Sequence, residues 1–188
     1  NPELGKVKTR LAASIGNENA LEVYKILLEH TQNILVQVKA SKTVLYSEKI
    51  NEDDIWNKEW FDKKIQKGND LGERMKNAFQ EGFNLGYKKI VIVGSDLLDL
   101  EVSDIENAFK LLDENDAVIG PAVDGGYYLL GLKNLPNNIF ENKKWSTNTV
   151  LQDTLQDLKH LKYAQLKPKN DIDTIDDIKN ITAFHKYL

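Results

Sequence analysis

The chain has 188 residues, a formal net charge of -4 at pH 7 and no cysteine, which excludes disulfides and any thiolate metal site. Hydrophobic residues make up 41% and charged residues 29%, the profile of one soluble globular domain rather than a disordered or membrane-spanning chain. The acidic balance argues against a nucleic-acid polymer as partner, and the histidines (His30, His160, His185) are too scattered for a His-rich metal site.

The chain opens on Asn1-Pro2-Glu3-Leu4-Gly5, a turn-like stretch without the buried strand that ordinarily feeds such a loop in an α/β domain. A preceding segment is therefore expected. No signal peptide is recognisable, so a cytoplasmic location is expected. Asn17 can cap a helix, and Leu21, Tyr24, Leu28, Thr31, Leu35 and Val38 recur at spacings of three and four. That stripe predicts a helix over about 18–38. Residues 42–47 read as a short β-branched strand, and 50–63, charged with Trp56 and Trp60, as a surface helix or loop. A helix after Gly72 carries Met75, Ala78, Phe79 and Phe83 and stops at Gly86.

The run Ile90-Val91-Ile92-Val93-Gly94 has the continuous apolar character of a strand buried on both faces of a parallel sheet. A helix with Val102, Ile105, Phe109 and Leu112 follows, then a second buried strand over 117–120 and another over 127–132. Helices near 147–158 and 174–187, with a short strand around 161–166 between them, complete the pattern. Strands alternating with helices predict a three-layer α/β fold, one domain over residues 1–188, with a mostly parallel central sheet holding 90–94 and 117–119.

Ligands in such sheets bind where strands end and helices begin, and four polar segments sit there. Gly5-Lys6-Val7-Lys8-Thr9-Arg10 matches neither standard phosphate loop, yet a glycine with three cations suits a di- or triphosphate. Only two of the 25 basic residues are arginines, Arg10 and Arg74, which points to fork geometry at those places. The alternative is a solvated basic turn. Ser95-Asp96-Leu97-Leu98-Asp99 follows the most apolar strand, where a carboxylate can hold Mg²⁺ or Mn²⁺ or simply cap a turn. Asp124-Gly125-Gly126-Tyr127 reads as a hairpin turn or as backbone open to a ligand. There Asp124, beside flexible backbone, could act as a general base. In Asp171-Ile172-Asp173-Thr174-Ile175-Asp176-Asp177, the last two acids fit a helix first turn, and Asp173, lying before the helix, is the ligand candidate.

Taken in order, GKVKTRLA, the 66–79 stretch QKGNDLGERMKNAF, GSDLLDL, GPAVDGGYYLLGL, Trp145-Ser146-Thr147 and DIDTIDDI resemble the radical-SAM-associated transferase 1 family of arsenosugar biosynthesis. That family is related to the GT-A fold of nucleotide-sugar glycosyltransferases and nucleotidyltransferases. The sequence departs from it in lacking the hydrophobic first strand and in having Leu97-Leu98 where the family has Cys-Pro.

The resemblance implies a metal-dependent glycosyltransferase acting on a nucleotide-diphosphate sugar and a small-molecule acceptor. The alternatives are a nucleotidyltransferase coupling an NTP to a phosphorylated substrate, and a non-catalytic nucleotide-binding subunit. It implies that Asp96 and Asp173 share Mg²⁺ or Mn²⁺, with Asp99 as an outer partner or alternative ligand. Gly5, Lys6, Lys8, Arg10 and Ser95 would lie on the phosphates, with Lys8 and Arg10 assisting catalysis, and Gln66, Gly68 and Arg74 near the nucleoside. Asp124, Gly125, Gly126, Tyr127, Trp145, Ser146 and Thr147 would lie on the acceptor and sugar side. Two carboxylates brought together without a cation repel, so Asp96→Asn or Asp173→Asn is expected to leave the apo melting temperature equal or higher.

Overall fold

The computed structural model describes residues 1–188, which form two compact units. The first comprises residues 1–65, 95–100 and 170–188, and the second residues 66–94 and 101–169.

In the first unit, α1 (Thr9–Ile15) follows the basic turn directly and leads through Gly16 into α2 (Asn17–Gln37). Gly16 has φ 83°, a left-handed geometry that glycine adopts freely. Asn17 is therefore the first residue of the helix rather than its cap. The helix α2 serves two small cores. Its Ala20, Val23 and Leu27 pack with Leu11, Ile172, Ile178 and Phe184. Leu28 instead joins Tyr46, Trp56 and Phe61. Each fully buried large aliphatic contributes roughly 1.5–3 kcal/mol, so this divided apolar face ties the chain's early, middle and terminal segments together.

The strand β1 (Thr43–Tyr46) pairs in parallel with β2 (Asp62–Ile65), Thr43 opposite Asp62. The expected surface segment over 50–63 is thus a crossover that ends in a strand. Trp56 is buried and only Trp60 stays half-exposed. Polar groups staple the crossover: Lys63 Nζ donates to the Asn51 and Glu52 carbonyls and to Asp54, while the Tyr46 hydroxyl donates to the other Asp54 oxygen. Burial, followed by the Asp54 carboxylate, pushes the Tyr46 phenol above its ordinary pKa. At the other end, the single helix expected over 174–187 is broken into α6 (Ile175–Ile178) and a 3-10 turn over Thr182–Tyr187.

The second unit begins with α3 (Leu71–Asn84), whose N-cap Asp70 accepts from the Glu73 amide at 2.8 Å. It continues through β3 (Ile90–Val93), α4 (Val102–Glu114), β4 (Ala117–Pro121), β5 (Tyr127–Leu132), α5 (Val150–Leu158) and β6 (Tyr163–Gln165). The four-stranded sheet has the order β3-β5-β4-β6. Three strands share one direction; β5 opposes both its neighbours, while β4 and β6 are parallel. Every residue of β4 is buried. The strand β3 differs from expectation: it is an outer strand of this sheet, and its residues are half-buried. Its apolar run packs on one cluster, with Met75, Phe79, Ala117, Ile119, Leu130, Leu132, Phe140 and Leu158 at the centre and Ile90 and Ile92 at the margin. No helix is long and apolar enough to cross a membrane.

Candidate functional site

Four of the charged residues singled out above meet in the first unit. The chain leaves β3 through Gly94 and Ser95, and Asp96 and Leu97 then run beside residues 171 and 172. The Ile172 amide donates to the Asp96 carbonyl at 2.9 Å, and Leu97 forms an antiparallel bridge with Asp171. Buried Leu97 and Ile172 anchor these two segments, so Asp96 and Asp173 stand on adjoining strips of backbone.

Each carboxylate carries a cation from the basic turn. Lys8 Nζ lies 3.0 Å from Asp96 Oδ2, with side-chain exposures of 8% and 36%. Arg10 donates to Asp173 Oδ2 at 2.9 Å, with exposures of 65% and 32%. Lys8 has φ 45° and ψ 48°, a left-handed conformation that costs a non-glycine residue about 1 kcal/mol or more and persists where the surroundings hold it. Buried lysine–aspartate pairs also join Lys63 to Asp54 and Lys143 to Asp157; the Lys8 pair differs from them in its left-handed backbone.

The other members of the turn behave differently. Lys6 is exposed and bonds Glu3 and Glu48, hydrogen bonds that raise its ammonium pKa. Gly5 supplies a left-handed φ of 73°. Ser95 is half-buried and Asp99 exposed, on the strip that carries Asp96.

Two residues outside the expected set support this arrangement. Asp177 Oδ2 accepts from the Asp173 amide (3.1 Å), the Thr174 amide (2.7 Å) and the Thr174 hydroxyl (2.8 Å), and Oδ1 accepts from Asn170. Burial pushes the Asp177 carboxyl up, but these bonds outweigh it and leave its pKa below the ordinary value. The Thr174-x-x-Asp177 capping pattern is the sequence signal for that role. His30 Nε2 lies 2.9 Å from the Leu100 carbonyl, bracing the far end of the 95–100 strip from α2; no sequence pattern marks it.

In the second unit, Arg74 straps the 66–68 segment, with Nε donating to the Gly68 carbonyl at 3.2 Å and Nη1 to Gln66 Oε1 at 3.1 Å. Gly68 has φ 139°, and a Cβ there would meet the Glu73 Cβ at 2.7 Å. The 124–126 turn joins β4 to β5. Asp124 Oδ1 accepts from the Gly126 amide at 2.8 Å, and Gly125 is pressed so close that a Cβ would lie 2.2 Å from the Asn148 carbonyl oxygen. Tyr127, expected on the acceptor and sugar side, turns its hydroxyl inward to the Met75 sulfur at 3.8 Å, and burial drives its pKa up. Trp145 lies over Gly72 and against Phe140. Ser146 adopts φ 63°, and Thr147 donates to the Lys144 carbonyl.

Asp96 and Asp173 offer the hard oxygen donors that Mg²⁺ and Mn²⁺ prefer. No group of three or more acidic or histidine side chains is placed to hold a metal ion by itself. That set fits the usual Mg²⁺ arrangement of one or two carboxylates, with substrate phosphates and water completing the sphere.

The mixed α/β architecture with open sheets is of the GT-A-like, nucleotide-diphospho-sugar transferase type, as its likeness to a solved structure shows. A solved structure from Desulfovibrio desulfuricans G20, described as a "putative nucleotide-diphospho-sugar transferase", matches with a TM-score of 0.86 and 34% identity over 96% of this chain and 85% of that chain. Residues 30–147 match the family described as "Uncharacterized protein conserved in bacteria (DUF2064)", and the chain belongs to that family. A cytidylyltransferase from Leptospira borgpetersenii serovar Hardjo-bovis shares the fold alone, with a TM-score of 0.60 and 15% identity over 86% of this chain and 76% of that chain. No curated protein matches the chain.

Proposed function

We propose that the chain is a glycosyltransferase that takes a sugar from a nucleotide diphosphate and gives it to a small-molecule acceptor, with Mg²⁺ or Mn²⁺ as cofactor. The observation that carries this reading is the interleaving of Lys8 with Asp96 and of Arg10 with Asp173. A place that binds a metal diphosphate needs both signs of charge, carboxylates for the ion and cations for the phosphates. The 34% identity to the Desulfovibrio protein supports the substrate class. The narrower affiliation with radical-SAM-associated transferases rests on the motif order.

In this reading Asp96 and Asp173 would hold the ion, with Asp99 as an outer partner or alternative ligand. The ion supplies positive charge where the diphosphate leaving group becomes more negative. Lys8 and Arg10 bind the phosphate oxygens. Gln66, Gly68 and Arg74 serve the nucleoside, the backbone of Gly68 being held in place by Arg74. As the sugar–phosphate bond breaks and the acceptor oxygen bonds to the sugar carbon, Asp124 takes the hydroxyl proton.

The test is calorimetry and thermal shift of the chain with UDP-, GDP-, CMP- and TDP-sugars and free NTPs, with and without Mn²⁺. It is followed by a product assay. Mn²⁺-dependent binding of one nucleotide sugar supports the proposal. Pyrophosphate release from an NTP with a phosphorylated acceptor would replace it with nucleotidyl transfer. Binding without turnover would replace it with a non-catalytic subunit.

A further inference from the structure

We infer that Lys8 acts as an internal occupant of the metal-binding carboxylate, so that a divalent cation reaches Asp96 only by displacing a lysine that the diphosphate then receives. This rests on the reading above that cation and diphosphate share the site.

The two ion pairs are unequal. Arg10 is 65% exposed, so water replaces Asp173 at little cost when the pair opens. Lys8 is 8% exposed. An ammonium carries three donors and no acceptor, and a buried one stripped of its carboxylate is strongly disfavoured. The left-handed backbone at Lys8, immediately before α1, fixes where its stem begins. A cation arriving alone at Asp96 therefore leaves the Lys8 charge buried and unpaired. A diphosphate arriving alone draws Lys8 away and leaves Asp96 facing phosphate, a like-charge contact. Arriving together they exchange partners: the cation takes the carboxylates, the phosphates take Lys8, and no buried charge is orphaned. Lys8 thus suppresses the binding of free metal.

Direct metal–phosphate coordination couples the two ligands whatever Lys8 does, so its contribution is read from the metal alone. Titration calorimetry with MnCl₂ alone, with UDP, GDP and CDP alone, and with each combination corrected for the complex formed in free solution, is run on the native chain, Lys8→Met, Lys8→Gln and Arg10→Met. In both Lys8 variants Mn²⁺ alone is expected to bind at least about fivefold tighter than in the native chain, the low end of typical coupling between sites. The nucleoside diphosphate alone binds more weakly. In Arg10→Met the Mn²⁺ affinity stays within about threefold of native, as befits an exposed pair. The Gln variant covers the case in which Met disturbs folding, with melting curves as the check. Unchanged or weaker Mn²⁺ binding in a folded Lys8 variant, with the native chain binding both ligands, overturns this inference and leaves the proposed function standing. Failure of the native chain to bind either ligand overturns both.

Discussion

Lys8 Nζ sits 3.0 Å from Asp96 Oδ2 with its side chain buried, so the aspartate at the end of the β3 exit is neutralised before any ligand arrives. This revises the expected effect of removing it. Asp96 does not repel a bare neighbouring carboxylate; it holds a buried ammonium.

Asp96→Asn should accordingly destabilise the apo protein by about 1–3 kcal/mol, the cost of leaving a buried charged donor poorly satisfied. The partial exposure of Asp96 places the effect toward the lower end. Chemical denaturation at pH 7 measures it. A melting temperature equal to or above native would mean that Lys8 finds another acceptor.

Arg10→Ala should do the opposite. Its pair with Asp173 is largely exposed, so stability should change by less than about 1 kcal/mol. Nucleotide affinity should fall by about 1.5–3 kcal/mol, as for a hydrogen bond to a charged group. Calorimetry and melting curves on one preparation separate the two, and unfolding with retained affinity would assign Arg10 a structural role.

Asp177 gives the site a pH dependence. Its folded pKa lies below the ordinary 3.8, so it contributes stability at pH values above that number. The contribution is lost as pH falls from about 4 through the lowered folded value. Asp177→Asn should cost about 1 kcal/mol at pH 7, as for a lost cap. It should also flatten the fall in stability below pH 4. Equal slopes for native and variant between pH 5 and 2.5 would show that other carboxylates govern acid unfolding.

The regular elements with strong periodicity were readable from sequence: α2, α3, α4, β4 and β5 lie where spacing or an apolar run puts them. What escaped reading depends on tertiary contact. The strand β2 is Asp-Lys-Lys-Ile, whose β character comes from pairing with β1 and from Lys63 stapling the crossover. The helix α1 has seven residues, about two turns, too few for periodicity to register. The run 90–94 looked buried on both faces because apolarity does not reveal whether a strand lies inside a sheet or at its margin. For the site, residue type suggested Lys8, Arg10, Asp96 and Asp173, but which cation holds which carboxylate depends on the left-handed turn at Lys8 and on the Asp96–Ile172 hydrogen bond. The inward Tyr127 ring follows a local irregularity that residue type does not mark: the β4–β5 register shifts between Gly120 and Pro121, so Tyr127 packs against the cluster of Leu130 and Leu132 although strict alternation puts it on the other face.

The backbone of the 124–126 turn is as constrained as its glycines suggest. Gly125→Ala would put a Cβ 2.2 Å from the Asn148 carbonyl oxygen and 2.6 Å from the Asn148 Cα, at a φ of 92°. Backbone cannot yield as a flexible side chain does, so a loss of roughly 2–4 kcal/mol is expected from clash and strain together. Gly126→Ala meets only the Asp124 carboxylate, at 3.1 Å, and should be far milder. Thermal denaturation of the two variants ranks them, and a reversed order would mean that the turn repacks.

That rigidity makes Asp124 testable without disturbing its surroundings. One carboxylate oxygen, Oδ1, already accepts the Gly126 amide at 2.8 Å, and an asparagine carbonyl oxygen can accept the same hydrogen bond. Asp124→Asn therefore keeps the turn, and its melting temperature should stay within a degree or two of native, about the shift of a few tenths of a kcal/mol in a domain this size. It cannot take up a proton. If Asp124 is the base for the acceptor hydroxyl, kcat should fall by about 10²–10⁴, the usual contribution of general base catalysis, while donor affinity is unchanged. Asp124→Ala also removes the turn bond, so it should lose stability by about 1 kcal/mol as well as activity. The contrast between the two variants separates chemistry from architecture. Loss of turnover in Asn with a native melting curve assigns the proton transfer to Asp124. Full turnover in Asn combined with a destabilised Ala variant would leave Asp124 the holder of a β-turn and nothing more.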